Sequence, residues 1–424
     1  MAQLTDDCFA FSGPLMRIED MERMIAERVT PLNETENVPL REARGRVLAQ
    51  DIVSKVNVPP FDNSAVDGYA VRNEDLDPGG ETRLMIVDRV MAGHSASRAI
   101  GRGETTRIFT GAPVPDGADT IFMQEDVRLE GEAAIMPKGL KRGANFRLAG
   151  EDVKVGATIL PAGRRLAAQH VAIAAAVGLT SLPVRRSVRV ALFSTGDEIV
   201  EPGEPLPRAG LYDSNRYLLR DMLAGLGADV TDLGILRDEM AHLTRALAEA
   251  ARQHDLVLTS GGVSTGEADH VRDAVEKLGQ LVFWRIAIKP GRPVAMGVLP
   301  GARNTDSAAF VGLPGNPVAA FVTFVRVVRP LLLRLSGALP EPLDVLPARA
   351  TFRYKKKKDR REYVRVFAKR GADGIIDVTK YPREGAGLLT SLTETDGFAE
   401  LSEEVTSIEP GDIVGYLPYA SVMN

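Results

Sequence analysis

The chain has 424 residues, with 44% hydrophobic residues, 26% charged residues and a formal net charge of −5. That length exceeds what one core organises, so roughly two to four domains are expected, and the acidic balance argues against broad nucleic-acid binding. A single cysteine, Cys8, excludes an internal disulfide framework and a thiolate zinc cage. The histidines are scattered without HxxxH or HExxH spacing. No apolar run approaches the ~20 residues that span a bilayer. Met1–Phe11 carries no basic region followed by an apolar stretch, so no secretory signal is expected and the expected location is cytoplasmic.

Ile18, Met21, Ile25 and Val29 recur at helical spacing, and Pro31 closes that helix. A second helix is expected over Pro39–Gln50. From Pro59-Pro60 to about Gly150 the character changes. Short β-like runs (Arg83–Val90, Thr105–Thr110, Thr120–Gln124) alternate with Gly, Pro and Asp turns, as in a small all-β domain. Leu166–Val177 is Ala-rich and helical, ends at Gly178, and is expected to return to the first helices. The β domain would then be an insertion.

Between Ser187 and Leu335 strands and helices alternate. The strand runs are Val188–Phe193, Asp229–Gly234, Leu256–Thr259, Phe283–Ile288 and Phe310–Leu313. The helical runs are Tyr217–Leu226, Met240–Arg252, Ala268–Leu278 and Val318–Leu335. Such alternation implies an open, doubly wound, mostly parallel α/β sheet covered on both faces. Ligands of such sheets bind beyond the carboxyl ends of the strands. The polar loops Ser194–Glu198, Ser260–Asp269 and Leu313–Pro317 all fall on that edge. After Pro340 the chain is β-rich again (Ala348–Tyr354, Tyr363–Phe367, Ile375–Thr379, Phe398–Leu401), which fits a C-terminal β barrel or sandwich.

The loop after Leu256–Thr259 is the most informative stretch. Gly261, Gly262 and Gly266 let the backbone turn sharply and bring bare amides to a ligand, while Glu267 and Asp269 add ligands for a hard cation. Ser194-Thr-Gly-Asp-Glu198 offers adjacent carboxylates on the same edge. Arg285, Lys289 and Arg292 cluster at a strand end, and cations facing carboxylates are the usual equipment for an oxyanion. Phe61–Ala70, read alone, is a turn with Asp62 and Asp67, and Arg107–Pro115 is a strand and turn with one hydroxyl, Thr110. Lys355–Lys358 with Arg360, Arg361 and Arg365 reads as a solvated face or a polyanion grip. No GxxxxGK[ST] P-loop is present.

Taken in order, Ser64-Ala-Val-Asp-Gly-Tyr-Ala70, Thr110-Gly-Ala-Pro-Val-Pro115, Arg147-Leu-Ala-Gly-Glu-Asp152, Ser194–Glu198, Ser260-Gly-Gly-Val-Ser264 with Asp269, Lys289-Pro-Gly-Arg-Pro293 and Leu313-Pro-Gly-Asn-Pro317 resemble the MoeA family, the molybdopterin molybdenumtransferases, which include the E domain of gephyrin. The resemblance implies four parts. These are a split N-terminal dimerisation domain (1–52 and 150–185), an inserted β domain (53–149), an α/β molybdopterin-binding domain (186–337) and a C-terminal β domain (338–424). It implies a homodimer in which one subunit's inserted domain approaches the other's α/β domain. The implied reaction is Mg²⁺-dependent insertion of molybdate into adenylated molybdopterin with release of AMP.

Residue by residue, the resemblance places Asp67, Glu198, Asp238 and Asp269 at Mg²⁺ and the hydrolytic step, with Thr110 and Lys289 also catalytic. Lys289, Arg292, Arg360 or Arg365, and Ser391 would hold molybdate. Asp152, Gly261, Gly262, Ser264, Arg285, Pro314 and Pro317 would contribute to substrate binding. The chain departs from the family pattern at Arg285 and Arg292, where many relatives carry lysine, and at Ala319, where many carry serine. Arginine replaces a point donor with a planar fork. A transient contact with a molybdopterin adenylyltransferase is a further expected partnership. The rival readings are that adenylyltransferase activity itself, whose fold resembles Ser187–Leu335, and a non-catalytic scaffold of the same family.

Overall fold

The structure is a computed structural model and describes residues 15–237, 239–262, 270–302 and 307–423. Its central sheet runs Asp229–Leu236, Arg189–Thr195, Leu256–Ser260, Ser307–Leu313, Pro293–Pro300, Gln280–Arg285 across its width. The first four strands are parallel, and the last two form an antiparallel edge. Alternate residues face opposite ways along each strand. Val190 and Leu192 join a core with Ile18, Met21, Leu219 and Phe321, whereas Ala191 and Phe193 join a second core with Leu243, Leu247 and Val271. Both faces are therefore covered by helices, which is why these strands are continuously apolar.

Chain order across the parallel strands places the second strand on one side of the first and the third on the other. The connections leave in opposite directions between Arg189–Thr195 and Leu256–Ser260. A crevice opens at such a reversal, outside the strands' carboxyl ends.

The C-terminal region closes on itself. Arg361–Arg370 pairs with both Ile376–Lys380 and Gly397–Leu401, and Leu346–Ala350 and Ile413–Pro418 complete a closed five-stranded barrel. It shares a core with the α/β domain. Phe398 meets Tyr419 at 5.2 Å and Phe321 at 5.6 Å between ring centroids, and Tyr363 meets Phe398 edge-on. The helical run over Val318–Leu335 is interrupted by a wider π turn at Phe324–Val328. That turn carries buried Arg326, which pairs with Glu400 and lies 5.3 Å from the Tyr363 ring.

The inserted β region is a six-stranded sheet in the order Thr120–Met123, Gly68–Val71, Glu104–Ile108, Thr82–Val90, Ala133–Met136, Arg128–Glu130. Thr35–Pro39 pairs with Ser181–Arg185, and Ile52–Val53 with Thr158–Leu160, so the chain enters and leaves this region at neighbouring points.

Some expectations fail for identifiable reasons. No helix forms over Pro39–Gln50. One 3-10 turn, Leu40–Glu42, is followed by Gly45 at φ +81, and Val47 and Leu48 bridge to Arg165 and Val184. The strand expected over Phe283–Ile288 ends at Arg285, and Ile288–Lys289 instead joins the barrel beside Arg361 and Glu362. Pro293–Pro300 is a further strand that the Pro and Gly signals had concealed.

Candidate active site

The crevice at the strand reversal is a cavity of about 560 Å³ walled by Ser194, Thr195, Glu198, Asn215, Ser260, Gly261, Gly315, Asn316 and Pro317, among others. The loops meet there through backbone and amide bonds. Gly261 N–H donates to the Leu313 carbonyl at 3.0 Å. Asn215, at the start of the helix Asn215–Gly225, donates to Ser260 Oγ and to the Gly315 carbonyl, both at 2.8 Å. One side chain thus ties the ends of two strands to a helix N-terminus. Beside it, buried Arg216 anchors the neighbouring loop through Asp213 at 2.9 Å, Asp232 and Glu201.

Gly261 and Gly262 have φ of +88 and +64, a region side chains other than glycine rarely adopt. A Cβ on Gly262 would lie 2.4 Å from Thr195 Cγ2 and 2.9 Å from Val271 Cγ2. The glycine is required by space as well as by conformation. Ser194 Oγ, Thr195 Oγ1 and Asn215 Oδ1 are buried and find no hydrogen-bond partner among the described residues. Orphaned polar atoms are costly in a folded interior. Several of them in one cavity wall point to a ligand that supplies the missing partners.

A second cavity, of about 220 Å³, lies between the α/β domain and the barrel. Its wall includes Lys289, Pro290, Tyr354, Glu362, Arg365, Lys380, Arg383 and Glu384. Arg365 donates to the carbonyls of Gly385 at 2.6 Å and Arg383 at 3.3 Å, while its buried Nε has no partner among the described residues. Lys380 pairs with Glu384 at 2.6 Å and lies 5.2 Å from the Tyr354 ring. Burial, then the carboxylate of Glu362, pushes the Tyr354 phenol well above its ordinary range, so it stays a neutral donor. One segment contributes to both walls: Gly385 and Ala386 line the second cavity, Gly387 and Leu389 the first. Ala386 also accepts from Val318 N–H at the start of the helix Pro317–Thr323.

The structure gathers some sequence-proposed residues and separates others. Glu198, Gly261 and Pro317 line the first cavity; Lys289 and Arg365 line the second. Gly262 and Pro314 flank the first cavity in sequence. Arg360 is committed to Glu362 at 2.7 Å. Ser391 is fully buried, with its hydroxyl donating to the Leu388 carbonyl. Arg285 and Arg292 are exposed.

Asp67 and Thr110 lie in the loops just beyond two strands of the inserted β sheet and are brought together by the antiparallel pairing of Gly68 with Ile108. Thr110 donates to Asp67 Oδ1 from both backbone and hydroxyl, each at 2.8 Å. These bonds hold the half-buried Asp67 carboxyl below its ordinary range. Asp152 is exposed, its N–H donating to Val58. Asp238, Ser264 and Asp269 lie outside the described residues. The basic run is not a solvated face throughout. Lys356 is buried and donates to the carbonyls of Ser402, Glu403 and Val405, and Arg361 pairs with Glu19, Glu400 and Glu403. Sequence reasoning missed Asn215, Tyr354, Glu362 and Lys380. The spacing of Glu362 between Arg360 and Arg365 was the only available hint.

Comparison with known proteins places these parts. The MoeA N-terminal region (domains I and II) matches residues 16–178, a probable molybdopterin binding domain matches 191–334, and the MoeA C-terminal region (domain IV) matches 347–419. A molybdopterin molybdenumtransferase of Haemophilus influenzae is 38% identical over 407 residues, covering 96% of this chain and 99% of that protein. A Pyrococcus horikoshii OT3 molybdopterin biosynthesis moeA protein superposes with a TM-score of 0.80 at 28% identity, covering 96% of this chain and 100% of the other. A second structure of a moeA protein from Pyrococcus horikoshii gives 0.75 at 32% identity, covering 96% and 99%.

Proposed function

The chain belongs to the MoeA family, the molybdopterin molybdenumtransferases of molybdenum cofactor biosynthesis, and we propose that it divides that reaction between its two cavities. The sheet-edge cavity takes the pterin and phosphate of adenylated molybdopterin, whose polar edges partner Ser194, Thr195 and Asn215. The barrel-side cavity takes molybdate, with Lys289 and Arg365 as its cations and Arg292 and Arg360 nearby. The observation that carries this reading is the adjacency, across 385–389, of a cavity lined by orphaned polar atoms and a cationic one. A substrate seated in the first would present its reacting end toward an anion held in the second.

The chemistry asks little of the protein at the metal itself. Molybdenum's soft sulfur ligands come from the dithiolene of the substrate, so no cysteine is needed beside it. The protein's task is to hold two anionic reactants in register, which converts their meeting into an intramolecular event. Release of AMP would follow at the phosphate, with Asp67 and Thr110 reaching the site from the second copy of a homodimer. Such a crossing would give a role to an ionised carboxylate in a loop of the inserted β region.

Magnesium is proposed at Asp67, Glu198, Asp238 and Asp269. Asp238 and Asp269 lie outside the described residues, and among the described residues no group of three or more Asp, Glu, His or Cys could hold a metal. The described residues alone do not make that site. A transient contact with a molybdopterin adenylyltransferase, which supplies the adenylated substrate, and a cytoplasmic location complete the proposal. Among the described residues no helix is long and apolar enough to cross a membrane.

The test is AMP release from purified adenylated molybdopterin, with and without molybdate, by the native chain and by Asp67→Asn. Molybdate-dependent release that Asp67→Asn abolishes supports the reading. Unaltered release by Asp67→Asn would remove the inserted domain from the site, and binding without release would favour a scaffold.

A further inference from the structure

Glu362 is the one carboxylate in the cationic cavity that is almost wholly buried, with a side chain 1% exposed. It is held from three sides: by the Tyr354 hydroxyl at 2.8 Å, by Arg360 Nε at 2.7 Å, and by Lys289 Nζ at 3.3 Å. These contacts are unequal. The tyrosine and arginine bonds are short. Lys289 is at the limit of hydrogen-bond distance, shares itself with the Tyr354 hydroxyl at 3.3 Å, and is 49% exposed. Its backbone is fixed, because Lys289 pairs directly with Glu362 in the strand register. Only the ammonium, on a flexible four-carbon stem, is free to move.

From this geometry we propose that Glu362 is the internal counter-ion of the oxyanion cavity, a positioning residue that holds Lys289 until an oxyanion arrives and then yields it. The inference rests on the reading of this cavity as the molybdate site. When Lys289 turns away, Glu362 keeps Tyr354 and Arg360, so no buried charge is left unpaired. The exchange swaps one cation–anion contact for another and spares the cavity the cost of holding unpaired cations while empty. Glu362 therefore competes with the oxyanion for the same ammonium. A tetrahedral dianion outcompetes it more readily than a monoanion of the same shape, because the attraction scales with charge.

Two measurements test this. In calorimetric titrations, Glu362→Gln, which keeps an acceptor of similar shape without the charge, is expected to bind molybdate roughly fivefold or more tightly than the native chain. The affinity for perchlorate, a tetrahedral monoanion, is expected to rise as well, so perchlorate becomes a measurable competitor. A residue with a merely structural role would leave binding unchanged or weaken it, and either result overturns the proposal. The second measurement needs no variant: a crystal structure of the native chain with molybdate. Lys289 Nζ is expected on the oxyanion and out of hydrogen-bond reach of Glu362. Molybdate bound in this cavity with Lys289 still on Glu362 overturns the counter-ion role alone. Molybdate bound elsewhere overturns the cavity assignment with it.

Discussion

The two cavities lie on either side of residues 385–389, yet they are built in different ways. The sheet-edge cavity is walled mainly by the α/β domain, with Gly387 and Leu389 of the C-terminal region closing one side. Its walls are the ends of parallel strands, its shape comes from Gly261 and Gly262, and its unmet demand is for hydrogen bonds. The barrel-side cavity is assembled across a seam, from the strand Ile288–Lys289 and from barrel segments, and its content is charge. One is shaped by backbone and the other by ion pairs. The first is therefore expected to fail by steric filling, the second by loss of charge or by loosening of the seam.

That contrast orders the predictions. Phe398→Ala removes the ring at the centre of the aromatic seam and is expected to cost about 3–5 kcal/mol, measured by denaturant unfolding. Molybdate binding is expected to suffer more than nucleotide binding in what remains folded. Equal loss at both cavities would mean that the seam supports the whole site. Gly262→Val drives branched carbons into Thr195 and Val271 at a positive φ. A cost of about 1–3 kcal/mol in stability and a loss of ~100-fold in affinity for adenylated molybdopterin are expected.

Arg365→Gln keeps much of the side chain but removes the charge. The KM for molybdate is expected to rise about tenfold, the equivalent of one charge-assisted hydrogen bond, with nucleotide affinity within twofold. Asn215→Ala frees Ser260 and the Gly315 carbonyl and is expected to cost about 1–2 kcal/mol, again by denaturant unfolding, with weaker pterin binding. Arg353→Ala breaks an exposed pair with Glu409 and is expected to change stability by less than about 0.5 kcal/mol.

The same contrast governs what could be read from the sequence. The sheet-edge cavity was largely legible, because glycines and polar loops after apolar strands are local signals and the β-α alternation placed them on one edge. Asn215 was not, since a lone asparagine at a helix start carries no pattern; only the fold shows it bridging Ser260 and Gly315. The barrel-side cavity was legible as charge but not as architecture. Lys289 and Arg365 were named, whereas the pairing of Lys289 with Glu362 is a strand register between distant segments, and Glu362 sat inside what read as a basic surface run. The missing helix over Pro39–Gln50 failed for the same reason, because its residues pair with 165 and 181–185.

The most direct test of this division titrates Gly262→Val and Arg365→Gln separately with adenylated molybdopterin and with molybdate. The account predicts a crossed result: Gly262→Val loses the nucleotide and keeps molybdate, and Arg365→Gln loses molybdate and keeps the nucleotide. If both variants lose both ligands equally while remaining folded, the two cavities are one site and the division is wrong.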